Sequence, residues 1–277
     1  MNATYPEKLL SKVALFNLLK YSIYLLLIYD AYQYLQMDSA SARQILAEGV
    51  TYHRFVEAYA ITIDMISWLV LLFCFELETA LISPDKLKGP VLWGLHGLRV
   101  VCYFFVLSSY YGYIAKYLML TQAVPFAVDD VCTLAGTAYT YLQELDEYLP
   151  FTAGSCEQLR NLSWVRIEDT HILADPARLQ EARWMALVDV IYATTWLLVV
   201  VILELDVYLM ERDRLKGWLL RVSEFTKAGL YLILLAGAIF WGIRGEFLDF
   251  WDAFLWLAAF ALIDLNVFGL ADEAVPA

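Results

Sequence analysis

Residues 184–209 read WMALVDVIYATTWLLVVVILELDVYL, and this stretch decides the fold. Only Asp189, Glu204 and Asp206 interrupt an otherwise apolar run. A hydrocarbon core of ~30 Å is crossed by about 20 apolar residues in helical conformation. Lipid offers backbone groups no partner outside their own helix, and the run lacks the period-two alternation of a membrane β-strand. It therefore predicts a transmembrane helix. Five further windows read the same way: residues 13–34, 59–82, 91–120, 218–243 and 247–270. The expected fold is an all-α polytopic membrane bundle of six transmembrane helices. Residues 1–121 would hold helices one to three, 122–182 a partly helical extracytoplasmic cap, and 183–277 helices four to six.

Composition supports this class and excludes others. The 277 residues are 61% hydrophobic and only 18% charged, whereas a soluble domain is roughly 45–50% apolar and about 25% charged. Too little polar surface remains to cover a water-facing globule. A net charge of -12 argues against nucleic acid, whose phosphates need basic partners. The partner that composition does imply is the lipid bilayer; further copies of the chain or other membrane subunits are expected beside it.

Short loops set the orientation. Residues 83–90 (SPDKLKGP) and 211–217 (ERDRLKG) are short and basic, which places them in the cytoplasm. Lys8 and Lys12 then put the N-terminus on that side, and six crossings return the C-terminus there, in a plasma or bacterial inner membrane. Ala40-Ser41-Ala42 is similar to a small-residue cleavage site. The preceding apolar stretch is long for a signal peptide and carries Lys20, so the first helix is read as retained.

The connection 122–182 then falls outside. It holds Cys132 and Cys156, which an oxidising compartment would join as a disulfide. Val131, Leu134, Ala138, Tyr141, Leu142 and Leu145 have helical spacing and predict an amphipathic helix over 128–148. Asp175-Pro176 predicts an N-cap followed by proline at the first helical position.

The chain also repeats itself. Residues 68–77 (WLVLLFCFEL) align without gaps on 196–205 (WLLVVVILEL), an offset of 128. At the same offset Leu87-Lys88-Gly89 falls on Leu215-Lys216-Gly217, Arg99 on Lys227 and Tyr103 on Tyr231. A fainter third copy sets Trp256 eight residues before Asp264, and in the first helix Lys20 precedes Tyr24 by four. Odd helices thus carry a base with a tyrosine on the same face, and even helices an acid near their inner end.

Depth gives these residues their interest. Lys20, Arg99 and Lys227 lie about eight residues, or ~12 Å, into an outward-running helix; Glu76, Glu204 and Asp264 lie about six residues, or ~9 Å, before the end of an inward-running one. Three bases and three acids share one level of the inner leaflet. An unpaired charge there costs about 2.5–3.5 kcal/mol on insertion scales, so pairing is expected. Such pairs either hold helices in register or form a gate on an ion pathway. Asp64, Asp189 and Asp252 lie further out on the even helices and are candidates for that pathway with Tyr24, Tyr103 and Tyr231. Glu78, Asp206 and Asn266 fall on the opposite face, near Lys86, Lys88, Arg212 and Lys216, and read as a solvated cluster.

Other chemistry is not legible. Of three histidines only His96 lies in a span, so no pair could clamp a haem. Phosphate-loop, zinc-protease and serine-hydrolase signatures are missing from the sequence, and neither cofactor nor metal is expected. The expected function is passage of an ion or small polar solute, with the six charged residues as a gate. A non-catalytic subunit of a membrane assembly comes second, and a membrane-embedded enzyme third.

Overall fold

The computed structural model describes residues 5–47, 49–83, 86, 88–212 and 214–268. In chain order the elements are α1 (Tyr5–Ile45), α2 (Tyr52–Ala58), α3 (Ala60–Glu76) and a π-helical turn (Leu77–Leu81). Next come α4 (Pro90–Thr121), β1 (Ala123–Phe126), a 3-10 turn (Val131–Leu134), β2 (Thr140–Glu144) and β3 (Glu147–Pro150). The chain continues with α5 (Ala153–Leu159), β4 (Trp164–Ile167), β5 (Ile172–Ala174), α6 (Pro176–Glu211), α7 (Trp218–Arg244) and α8 (Phe247–Phe268). The protein is mostly helical, with one small sheet.

Among the described residues four helices are long and apolar enough to cross a membrane: Ala14–Ile45, Pro90–Thr121, Pro176–Asp206 and Trp218–Arg244. The pair α2 and α3, bent by 75°, makes a fifth if it is one span. The expected unbroken helix over 59–82 is therefore corrected. Tyr59 leaves the helical region (φ -119°, ψ 25°), separating α2 from α3, and the C-terminal end of α3 widens into the π-helical turn. The side chain of Asp264 and the end of the window 247–270 lie outside the described residues.

The chain divides into two compact units, one comprising Met1–Asp30 and Thr194–Ala277, the other Ala31–Ala193. In the first, α7 runs into α8 through Gly245, whose φ of 90° is the left-handed conformation that ends a helix at little cost to glycine. Leu234, Ala238, Leu255 and Ala259 are buried there.

The second unit holds the sheet, in the order β1-β4-β5-β2-β3. All pairings are antiparallel except β2 with β5. The helix expected over 128–148 is overturned: this segment forms the 3-10 turn, β2 and the turn into β3. Its apolar residues serve two faces instead of one stripe, because side chains alternate along a strand. Leu142, Tyr148, Ile172 and Ala174 face a core shared with Ala42 and Ile45 of α1, Ala58 of α2, Leu120 of α4 and Ala182 of α6. Tyr141, Trp164 and Leu173 face a second core with Phe151 and Leu159. Cys132 and Cys156 are joined as a disulfide across that second core.

The N-terminus of α6 follows expectation. Asp175 accepts bonds from the backbone N–H groups of Ala177 (3.1 Å) and Arg178 (3.4 Å), with Pro176 in the first helical position. Arg183 of α6 donates to the carbonyl oxygens of Leu120 (2.8 Å) and Thr121 (3.4 Å), satisfying acceptors that the end of α4 would leave open.

Candidate functional site

The site grows from the bend between α2 and α3. Thr51 caps α2, its side chain accepting from the Arg54 N–H. A helix that restarts at Ala60 presents unsatisfied N–H groups, and Asp38 of α1 takes one of them. Its Oδ2 accepts from the Thr62 N–H at 2.9 Å, and the aspartate is 1% exposed. Gly112 of α4 permits the close approach on the other side. A Cβ at this position would lie 2.6 Å from the Val56 carbonyl oxygen and 2.9 Å from the Ala60 Cβ.

One turn beyond Gly112, Lys116 enters the same region. Its Nζ lies 2.8 Å from the Asp146 carboxylate, with both side chains nearly closed to solvent. Asp146 reaches inward because the β2–β3 turn places it at φ 69°, a left-handed conformation that aspartate tolerates better than most side chains. Asp38, Glu57 and Asp189 also act electrostatically with Lys116. Four carboxylates thus act on one ammonium, Asp146 in direct contact with it, and His53 and Arg54 act on Glu57. The Glu57 Oε1 and the Tyr148 hydroxyl are buried with no hydrogen-bond partner among the described residues. Burial, then the charges of Asp146 and Glu57, push the Tyr148 phenol well above its usual range, so it stays neutral and able to donate.

Sequence reasoning missed this cluster. The windows for the first two helices stopped at 34 and began at 59, leaving Asp38 and Glu57 in what looked like loops. Lys116 was the available signal: a cation inside an apolar run must find a partner. Asp146 had no local signature, because its role depends on a turn in the small sheet.

The expected site residues are placed as follows. In the second unit, Glu76 is buried and Arg99 and Tyr103 half-buried. Arg99 forms its ion pair with Glu78, one of the acids assigned to the solvated cluster. In the first unit, Lys227 pairs with Asp206 at 2.6 Å, and Ser223 also donates to Asp206 at 2.6 Å. Glu78 and Asp206 are thus corrected from surface charges to half-buried partners. Glu204 is exposed on α6, while Lys20 and Tyr24 are buried on α1 and Tyr231 and Asp252 are half-buried. The Lys20 ammonium sits 4.8 Å from the Tyr21 ring centroid, so its aromatic neighbour includes the adjacent residue.

Asp64 lies in α3, about one turn past the bend. Its Oδ1 accepts from the Trp68 indole N–H (3.1 Å) and the Ser109 hydroxyl (2.9 Å), and Tyr113 also bonds to it. Arg160 and Asp130 form an exposed ion pair beside the disulfide. The Cys132 N–H, then Arg160, holds the Asp130 carboxyl below its usual range. No group of three or more His, Cys, Asp or Glu among the described residues is arranged to hold a metal ion. Comparisons with family models, curated proteins and solved structures find no match to this chain.

Proposed function

We propose that this chain is a six-span membrane protein that passes a cation across the bilayer, binding it where the second span is bent. Both termini lie on the side of the basic turns, in a plasma or bacterial inner membrane. One observation carries the reading: the ammonium of Lys116, buried against Asp146, also acts electrostatically on Asp38, Glu57 and Asp189. Buried charge of one sign is costly, so a surplus of carboxylates suits a visiting cation or proton. Helices broken within a membrane are also where transport sites are commonly built, since the freed backbone groups face a ligand cavity.

The inner gate is a second part of the proposal. Glu78–Arg99 and Asp206–Lys227 are 21 residues apart within each pair and 128 residues apart between pairs. This supports the internal repeat, with Lys20, Glu76, Glu204 and Asp264 proposed as further charges of the gate. Each pair acts as a gate element within its own unit and opens when its acid and base separate.

Reconstitution of the full chain in liposomes tests the proposal. Cation or proton flux above that of empty vesicles is expected, and Glu57→Gln should abolish it while the protein remains folded. Flux equal to empty vesicles, or unchanged in Glu57→Gln and Asp38→Asn, overturns the proposal. Glu76→Gln and Glu204→Gln should alter the flux if the inner charges gate it.

A further inference from the structure

We infer that Asp64 is a proton-binding carboxyl between the Lys116 cluster and the Glu78–Arg99 pair, so that the ion moved is a proton. This rests on the transport reading and names its substrate. The first observation is depth. Asp64 is bonded to Ser109, which stands 12 residues before the end of α4, or ~18 Å at 1.5 Å per residue. Ser109 therefore lies within ~6 Å of the midpoint of α4. Lys116 is about two turns further along in one direction, and Arg99 ~15 Å away in the other.

The second observation is the character of the partners. Ser109, Trp68 and Tyr113 are all neutral. The side chains that act on Asp64 are those of Ser109, Trp68 and Tyr113, none of them charged; of α1, α2, α4 and the π-helical turn, the elements against α3, α1 brings Asp38, which is engaged with the Thr62 N–H two residues away. Tyr113 is the titratable group that faces it from α4, and Glu57 and Glu78 belong to the neighbouring levels. A carboxylate at this depth without a cation is far less favourable than a neutral acid, whereas an ion-pairing role would require an opposite charge.

The third observation is a hydroxyl with two acceptors. The Ser109 Oγ lies 2.9 Å from the Asp64 Oδ1 and 2.8 Å from the Val106 carbonyl oxygen, yet a serine has one O–H to donate. With Asp64 ionised, Ser109 donates to the carboxylate. With Asp64 protonated, Ser109 donates to Val106 and its lone pair accepts the carboxyl proton. The same heavy-atom positions serve both states, so Asp64 gains or loses a proton without rearrangement. The proton enters from the Lys116 side through Tyr113, which spans the three-residue step on α4 between Lys116 and Asp64. It leaves toward Glu78, and no other reactant is consumed.

Infrared spectroscopy of the full chain in lipid vesicles tests this apart from flux. The wild type should show a protonated-carboxyl stretch that responds to pH. Asp64→Asn should lose the band, and Ser109→Ala should shift it while leaving the fold intact. A pH-sensitive dye inside the vesicles should report acidification that Asp64→Asn abolishes and Asp64→Glu retains. If no titrating band is lost in Asp64→Asn, or if that variant acidifies as the wild type does, the inference falls. Flux of an alkali cation that depends on Glu57 but not Asp64 would overturn the proton while leaving the transport reading. Absence of any flux beside a titrating Asp64 band would do the reverse.

Discussion

The Asp38 carboxylate of α1 caps the N-terminus of α3 by accepting the Thr62 N–H at 2.9 Å, across 24 residues of chain. Most helices are capped by the residue that precedes them. Here Tyr59 makes no side-chain cap bond, so a neighbouring helix supplies it. Asp38→Ala should lower stability by about 1–2 kcal/mol, the usual cost of a lost cap. Asp38→Asn should lose less, since its amide oxygen still accepts. Thermal unfolding in detergent checks this, and equal midpoints for all three proteins would remove the capping role.

Lys116 and Asp146 form a buried pair, and breaking it leaves an uncompensated charge. Lys116→Met should cost about 3–5 kcal/mol, measured by the same unfolding assay. Adding Asp146→Asn should recover part of the loss. Recovery would show that unpaired charge, rather than lost packing of the lysine stem, was the damage.

Gly112 lies against the α2–α3 bend with no room for a methyl group. Gly112→Ala should cost about 1–3 kcal/mol, the typical range for overpacking. The same change at Gly97, where a Cβ would meet nothing within 4 Å, should be neutral or slightly stabilising in a helix. Similar unfolding of the two variants would contradict the close approach.

The Cys132–Cys156 disulfide closes a loop with a sequence separation of 24, which chain-entropy reasoning values at about 3 kcal/mol. Paired serine substitutions should increase protease sensitivity between β1 and α6 and leave the helices resistant. Asp130 beside it has a folded carboxyl held below the usual range. Its stabilising effect is therefore complete at neutral pH and is lost as acid protonates it. Asp130→Ala should blunt the acid end of the cleavage-versus-pH profile.

Arg99–Glu78 and Lys227–Asp206 should behave alike if the repeat is real. Arg99→Glu or Lys227→Glu places two acids together and should reduce folded yield in membranes. Exchanging the charges within a pair, as in Arg99→Glu with Glu78→Arg, should restore it. Rescue in one copy alone would break the equivalence.

Long apolar helices were legible because an apolar run of bilayer length has few other uses, but the break at Tyr59 inside the window 59–82 was not. The disulfide and the Asp175-Pro176 helix start were legible because their causes are local. The sheet was not, since Leu134, Ala138, Tyr141 and Leu145 satisfy a helical period by coincidence and no residue-scale rule reports strand pairing. Asp146 became a site residue only through that pairing.

Hydrophobic patterning alone determined that this chain carries helices long and apolar enough to cross a membrane, since the transfer free energy of apolar side chains adds up along the sequence without regard to neighbours. Which charges meet was decided by tertiary packing. A two-residue step from Glu76 to Glu78 turns the side chain to another face, and Glu78 sits within the π-helical turn Leu77–Leu81 from which it pairs with Arg99. Ion pairing depends on distances of a few ångströms, and those are set by the bend at Tyr59, the absent side chain of Gly112 and the turn at Asp146.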